Sequence, residues 1–176
     1  MNGSLHHLRS DPQGCCGWLN ETLSQHGIHI AVTGHDTDRT VLTVMCDAVT
    51  FDDDGTYPAE VVTVVVDHDG DIQALPALTD GRSWHHRFPW HTLAEILRGA
   101  APEPGKLCLW YVRDPRRLRW EWSDGLDTYL LIVQRHLLAE EYYRRHRHWP
   151  TEDAPHGIPG DGKPHPIIST ELRDAS

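Results

Sequence analysis

Cys108 is the residue of this 176-residue chain whose type and setting best suit covalent chemistry. It lies in the segment 105–109, which reads Gly-Lys-Leu-Cys-Leu. A thiolate can take an acyl group from another cysteine and give it up to an amine, because sulfur is both a good nucleophile and a good leaving group. Basic residues that could favour the thiolate stand in the same part of the chain: Arg82, Arg87, Lys106 and Arg113. The alternative is a buried strand cysteine, since free cysteine is among the most buried residue types.

Three histidines are candidates to assist this cysteine. His85 and His86 precede it in the aromatic segment 81–90, and His156 lies in the C-terminal segment. Imidazole can act as a base, or donate a hydrogen bond to developing negative charge, near neutral pH. The alternative is that His85 and His86 only shape a loop and that His156 is an ordinary tail residue.

Two further clusters fit a structural role better than a metal site. The segment 67–71 (Asp-His-Asp-Gly-Asp) has its glycine at the fourth position of a calcium-type loop instead of the sixth, so we predict a hairpin turn there. Cys15, Cys16 and Cys46 lack the spacing of zinc ligands. We therefore expect core thiols and no metal or other cofactor.

Helices at both ends of the chain should position these residues. The segment 15–26 has apolar residues at helical spacing and is followed by Gly27, which predicts a short helix. A capping-box pattern predicts another over 92–98. The longest periodic pattern predicts a helix from Asp124 to about His146, with its core face listed here: Leu126, Leu130, Val133 and Leu137.

Strands fill the middle of the chain. Four runs rich in β-branched residues alternate with turn signals at 28–33, 40–50, 60–66 and 72–75, which predicts an antiparallel meander. A short apolar strand is predicted at 106–112. Together these elements indicate an α+β class. We expect three parts: a flexible N-terminus (1–14), one folded domain (15–149) and a Pro/Gly-rich tail (150–176).

The charge of −10 is unevenly distributed. Residues 1–80 hold 13 acidic and two basic residues, a net charge of −11, whereas residues 81–149 hold eight acidic and 12 basic residues, a net charge of +4. The basic half could face a partner or simply be a solvated surface. The total charge disfavours nucleic-acid binding by the basic clusters at 113–119 and 144–147. With no membrane-length apolar run, no apolar signal core and no disulfide pattern, we expect a cytoplasmic protein.

The cysteine segment and the order of elements resemble the ubiquitin-conjugating enzymes. In that family a glycine, a hydrophobic residue, the catalytic cysteine and a leucine follow a four-stranded meander, as 105–109 does here. The stretch 120–123 (Trp-Glu-Trp-Ser), followed by Leu126 and a helix, resembles the family's tryptophan-containing stretch. The residues 148–150 and 154–157 resemble the bacterial branch, whose members are encoded in antiphage defence and ubiquitin-like conjugation operons.

The resemblance implies a transferase that forms a thioester on Cys108. An adenylating, activating-type enzyme would load it with the C-terminus of a ubiquitin-like protein or a cyclic-oligonucleotide synthase, and the acyl group would pass to a lysine. The family's His-Pro-Asn asparagine has no counterpart in the region of His85 and His86, so another donor would be needed. An inactive module that only scaffolds its operon partners is the alternative. A nucleic-acid-binding regulator is the third hypothesis.

Overall fold

The protein is an α+β fold with helices at both ends of an antiparallel sheet, as the sequence predicts. The computed structural model describes residues 3–77, 84, 106–110, 116 and 119–150. Among the helices of these residues, none combines the length and the apolar character that crossing a membrane requires. The helix predicted at 92–98 and the tail from residue 151 onward lie outside the described residues.

The first predicted helix is confirmed and begins earlier than expected. Helix α2 spans Pro12–Leu23 and continues into a 3₁₀ turn at Ser24–His26. Proline suits the first helical position, and the Asp11 carboxylate accepts a hydrogen bond from the Gly14 backbone N–H at 2.9 Å. These two features fix the start of the helix at residue 12.

A further helix precedes it, which corrects the expectation that residues 1–14 are flexible. Helix α1 spans Gly3–Ser10. Leu8 has no exposed surface and Leu5 packs against the same core. The two leucines lie three positions apart on one helical face, and their burial orders a segment that is otherwise polar.

The four-stranded meander is confirmed. Its strands are neighbours in the order β1-β2-β5-β6, all antiparallel. The predicted second strand divides at residue 47, whose backbone N–H donates to the Gly27 carbonyl at 2.7 Å instead of continuing the ladder. The residues after it form a separate two-stranded hairpin, β3–β4. The strands are β1 Ile28–His35, β2 Arg39–Cys46, β3 Val49–Phe51, β4 Gly55–Tyr57, β5 Glu60–Asp67 and β6 Ile72–Pro76.

The long C-terminal helix, α3, spans Leu126–His146 and follows a 3₁₀ turn at Trp122–Asp124. The four residues predicted for its core face are all buried, and so is Tyr129 beside them. One apolar core joins them to α1, α2 and the inner face of the sheet. This core is the rigid support against which the Cys108 segment lies.

Candidate functional site

The Cys108 segment lies beside the last strand of the sheet. The Leu107 backbone N–H donates to the Ala74 carbonyl of β6 at 2.9 Å, and Leu107 forms an isolated bridge. The predicted strand at 106–112 is therefore corrected within the described part, 106–110, where no other residue bridges to a strand. The chain leaves the sheet after this contact because the next residues turn towards α3.

Cys108 itself is buried, with 5% of its surface exposed. Its Sγ lies 4.0 Å from the Trp110 carbonyl oxygen, at the outer limit of a thiol hydrogen bond. The sequence predicts a partly exposed nucleophile, and this expectation is not met by the observed state. Chemistry at this sulfur requires a local opening of the segment.

An aromatic cluster, made of Trp110, Trp120, Trp122 and Tyr129, holds the segment against α3. The Trp110 ring lies 6.0 Å from the Trp120 ring and 5.9 Å from the Tyr129 ring, centre to centre, and the Tyr129 contact is edge-on. Trp120 in turn contacts Tyr129 at 5.0 Å and Trp122 at 4.9 Å. Edge-to-face contacts at these separations are favourable because each ring presents a positive edge to a negative face.

Hydrogen bonds from two indoles fix the cluster. Trp120 Nε1 donates to the Gly125 carbonyl at 2.7 Å, at the start of α3. Trp122 Nε1 donates to the Gly70 carbonyl at 2.7 Å, in the turn between β5 and β6. Tyr129 is 1% exposed, and burial raises the pKa of its hydroxyl. The cluster therefore anchors Trp110, two residues after Cys108, to α3 and to the turn between β5 and β6.

The other three cysteines are core thiols, as predicted. Burial raises the pKa of Cys15 to about 11 and that of Cys46 to about 12, and acidic neighbours add to both effects. Burial also raises the pKa of Cys16. No disulfide joins any of the four cysteines. A thiolate is therefore disfavoured at these three positions.

Three histidines were predicted to assist Cys108. All three, His85, His86 and His156, lie outside the described residues. Of the four basic residues named with it in the sequence, only Lys106 is described, and it is half-buried. Arg116, in the basic cluster after the cysteine, is instead paired with the Asp124 carboxylate at 2.8 Å.

The aromatic cluster is the feature that the sequence analysis did not predict. The count of seven tryptophans and the position of Trp110 two residues after Cys108 were the available signals. Neither indicates that this ring meets Tyr129, because that contact depends on how the segment crosses α3.

The residues 67–71 form a hairpin turn, as predicted. The Asp67 backbone N–H donates to the Asp71 carbonyl at 2.8 Å, and Gly70 has a φ of +113°. Within the described part of the chain, no group of three histidine, cysteine or acidic side chains is arranged to hold a metal ion. Comparisons with protein-family models, curated proteins and solved structures found no match. Function is therefore inferred from this chain's own residues.

Proposed function

We propose that the chain is a ubiquitin-conjugating-like acyl carrier that forms a thioester on Cys108. The observation that carries this proposal is the setting of the cysteine. It follows a four-stranded antiparallel meander and is backed by the start of a long C-terminal helix, in the order that the ubiquitin-conjugating resemblance implies. Within the described residues 106–110, Leu107 alone bridges to the sheet, so opening of this stretch breaks no extended strand ladder.

The chemistry needs no cofactor on this chain. The Cys108 thiolate attacks the thioester carbonyl carbon on the adenylating enzyme, and that enzyme's cysteine leaves as a thiolate. The acyl group is the C-terminus of a ubiquitin-like protein or of a cyclic-oligonucleotide synthase. A lysine amine then attacks the same carbonyl carbon, loses a proton to a base and releases the Cys108 thiolate. The ATP is consumed earlier, by the adenylating enzyme.

A second function, that of an inactive binding module, is favoured by the burial of the thiol. With 5% of its surface exposed, Cys108 matches a packed core cysteine as well as a sheltered nucleophile. The missing counterpart of the family's asparagine points the same way. In that case the fold would hold the adenylating enzyme and its acyl protein together without accepting the acyl group.

One reaction separates the two functions. The full chain is incubated with ATP, the adenylating enzyme and the acyl protein from the same genome, and adducts are followed by non-reducing electrophoresis and intact mass. The carrier forms an adduct that thiol reagents reverse. Cys108→Ser forms an ester that resists them, because an oxygen ester does not exchange with thiols. Cys108→Ala forms none.

The matched control is Cys46→Ala, which removes a buried thiol from the core and should keep the adduct. Co-elution of the wild type and Cys108→Ala with the adenylating enzyme, with no adduct on either, would establish the binding module. A wild type that forms no adduct under conditions in which the adenylating enzyme loads itself would refute the carrier function.

A further inference from the structure

A chain of hydrogen bonds joins two histidines through a buried threonine at one end of the sheet. His35 Nδ1 lies 2.9 Å from the Thr40 Oγ1, and the same oxygen lies 3.0 Å from His68 Nε2. His68 Nδ1 lies 3.0 Å from the Thr37 carbonyl oxygen. Thr40 has no exposed surface, whereas His35 is exposed. This cluster is remote in sequence from Cys108 and has no part in the proposed acyl transfer.

The chemistry of the atoms fixes where the hydrogens are. The Thr37 carbonyl can only accept, so His68 Nδ1 must carry a hydrogen. In a neutral His68 ring the Nε2 is then an acceptor, and the single hydrogen of the Thr40 hydroxyl goes to it. The Thr40 oxygen must therefore accept from His35 Nδ1–H. A neutral His35 is left with an unprotonated Nε2, which has no hydrogen-bond partner within the described residues.

One added proton is compatible with every bond of this chain. It binds the exposed His35 Nε2, and all three hydrogen bonds stay as they were. The charge can also move inwards, because the His35 Nδ1 hydrogen can pass to Thr40 while the hydroxyl hydrogen passes to His68 Nε2. In both forms the outward atom, His35 Nε2, carries a hydrogen, so it has changed from an acceptor to a donor.

A second proton is not compatible with it. With both rings cationic, His35 Nδ1–H and His68 Nε2–H both donate to the Thr40 oxygen. The hydroxyl hydrogen of Thr40 then has no acceptor at a site without exposed surface, which is costly. The two charged rings would also lie 5.5 Å apart, centre to centre.

Charged groups of both signs surround the pair. Asp36 from the first turn and Asp67 from the end of β5 act electrostatically on His68, and Arg9 from α1 lines the same groove as both histidines. Arg39 from β2 pairs with Asp67, with Nε at 3.5 Å from Oδ1. The number of protons that the pair can hold is therefore set by its hydrogen bonds.

We propose that His35, Thr40 and His68 form a one-proton switch, which turns the exposed His35 Nε2 from a hydrogen-bond acceptor into a donor. The side chains of His35 and Arg9 line a shallow groove of about 450 Å³. The turn between β1 and β2 and the turn after β5 are also joined directly, because the His68 backbone N–H donates to the Asp38 carbonyl at 2.7 Å. Uptake of one proton thus changes what the groove can bind while the two turns stay docked.

Nuclear magnetic resonance of the full chain with ¹⁵N-labelled histidines tests the switch directly. Long-range ¹H–¹⁵N spectra report which ring nitrogen carries the hydrogen, and His35→Gln and His68→Gln assign the two signals among the 14 histidines. Above the titration range both rings should show the Nδ1–H form. On acidification the first proton should appear at both rings together, because the relay through Thr40 shares it between them.

Thr40→Val keeps the shape of the side chain and removes the hydroxyl. We expect His35 to return to the Nε2–H form that free imidazole side chains prefer, and the two rings to titrate independently. His29, which lies 3.0 Å from Asp47 at the other end of the sheet, should be unaffected. If Thr40→Val fails to fold, Thr40→Ser must retain the wild-type pattern. An Nε2–H form of His35 in the wild type, or independent titration there, would overturn the proposal.

Discussion

Truncating Trp110 should expose Cys108 to chemical attack without unfolding the protein. The contacts that hold the Cys108 segment include the hydrogen bond from Leu107 to β6 and the contacts of the Trp110 ring with Trp120 and Tyr129. Each aromatic contact is worth about 1 kcal/mol beyond the area it buries, so Trp110→Ala lowers the free energy of local opening by at least about 2 kcal/mol. Because each 1.4 kcal/mol is a factor of ten, labelling of Cys108 should become at least about 30-fold faster.

The assay is reaction with a maleimide under native conditions, with each cysteine quantified by mass spectrometry of peptides. Labelling of Cys46 in the same sample is the internal reference, because that thiol is in the core and reacts only through wider unfolding. Trp18→Ala is the matched variant: Trp18 is 47% exposed on α2, and its removal should leave Cys108 labelling unchanged.

Two results would refute this reasoning. An unchanged Cys108 rate in Trp110→Ala would show that the aromatic contacts do not control access to the thiol. An equal increase at Cys46 would show global destabilisation in place of a local opening. In the acyl-carrier function the same variant should also be loaded faster by the adenylating enzyme, provided that opening limits the rate.

Two further predictions concern the fold and its response to pH. Asn20→Ala should lower the free energy of unfolding by about 1.5 kcal/mol, because it removes two hydrogen bonds of about 1 kcal/mol each and alanine regains about 0.5 kcal/mol of helix propensity. Urea unfolding measures this loss. Gln25→Ala removes an exposed amide with one hydrogen bond and should lose less than about 0.5 kcal/mol. Equal losses in the two variants would contradict a stabilising role of the two Asn20 hydrogen bonds. Hydrogen bonds from Arg116 hold the pKa of Asp124 below its usual range, so their contribution to stability is present above the usual carboxyl pKa and disappears as pH falls through the lowered value. Titration of Asp124 by nuclear magnetic resonance should show its pKa rising in Arg116→Gln, and an unchanged pKa would rule out this pairing in solution.

The prediction for Asn20 depends on backbone groups at the open edge of the sheet, which the pattern of side chains in the sequence does not reveal. Strand β1 is an outer strand of the sheet, and the Ile30 N–H and carbonyl point away from β2. The Asn20 carboxamide binds both groups, its Oδ1 at 2.8 Å and its Nδ2 at 2.9 Å. The side chain thus replaces one residue of a neighbouring strand and satisfies groups that would otherwise be open to another chain.

The elements that the sequence predicted well are those with a periodic apolar face. Helix α3 buries residues at helical spacing and strand β2 buries alternate residues, and periodicity alone locates such segments. Helix α1 was missed because its burial rests on Leu5 and Leu8 in a polar segment. The strand predicted at 106–112 failed for a different reason: within the described residues 106–110 only Leu107 bridges to β6, and the Trp110 ring packs on Tyr129 of α3.

The sites could be predicted only in part, because they depend on contacts between distant residues. Cys108 was proposed from its local motif, but that motif does not reveal that the thiol is buried or that Trp110 contacts Tyr129. The histidine switch joins His35 to His68 through Thr40, and no local sequence pattern relates residues that belong to β1, β2 and the turn after β5. The sheet register, which places Thr40 opposite His35, creates this proximity.

Two arginines of the basic second half of the sequence form ion pairs within the fold. On α3, Arg144 pairs with Glu60 and Glu141, and Arg145 pairs with Glu141 and donates to two carbonyls of the β3–β4 hairpin.

These two arginines therefore hold the hairpin and β5 against the helix, and their charge is neutralised within the fold. Arg135 and Arg147 are exposed and make no ion pair within the described residues. A partner that binds this helix through charge has those two cations available to it. In the proposed reaction, binding of the adenylating enzyme should therefore depend on the Arg135 and Arg147 side chains and not on the net charge of the whole chain.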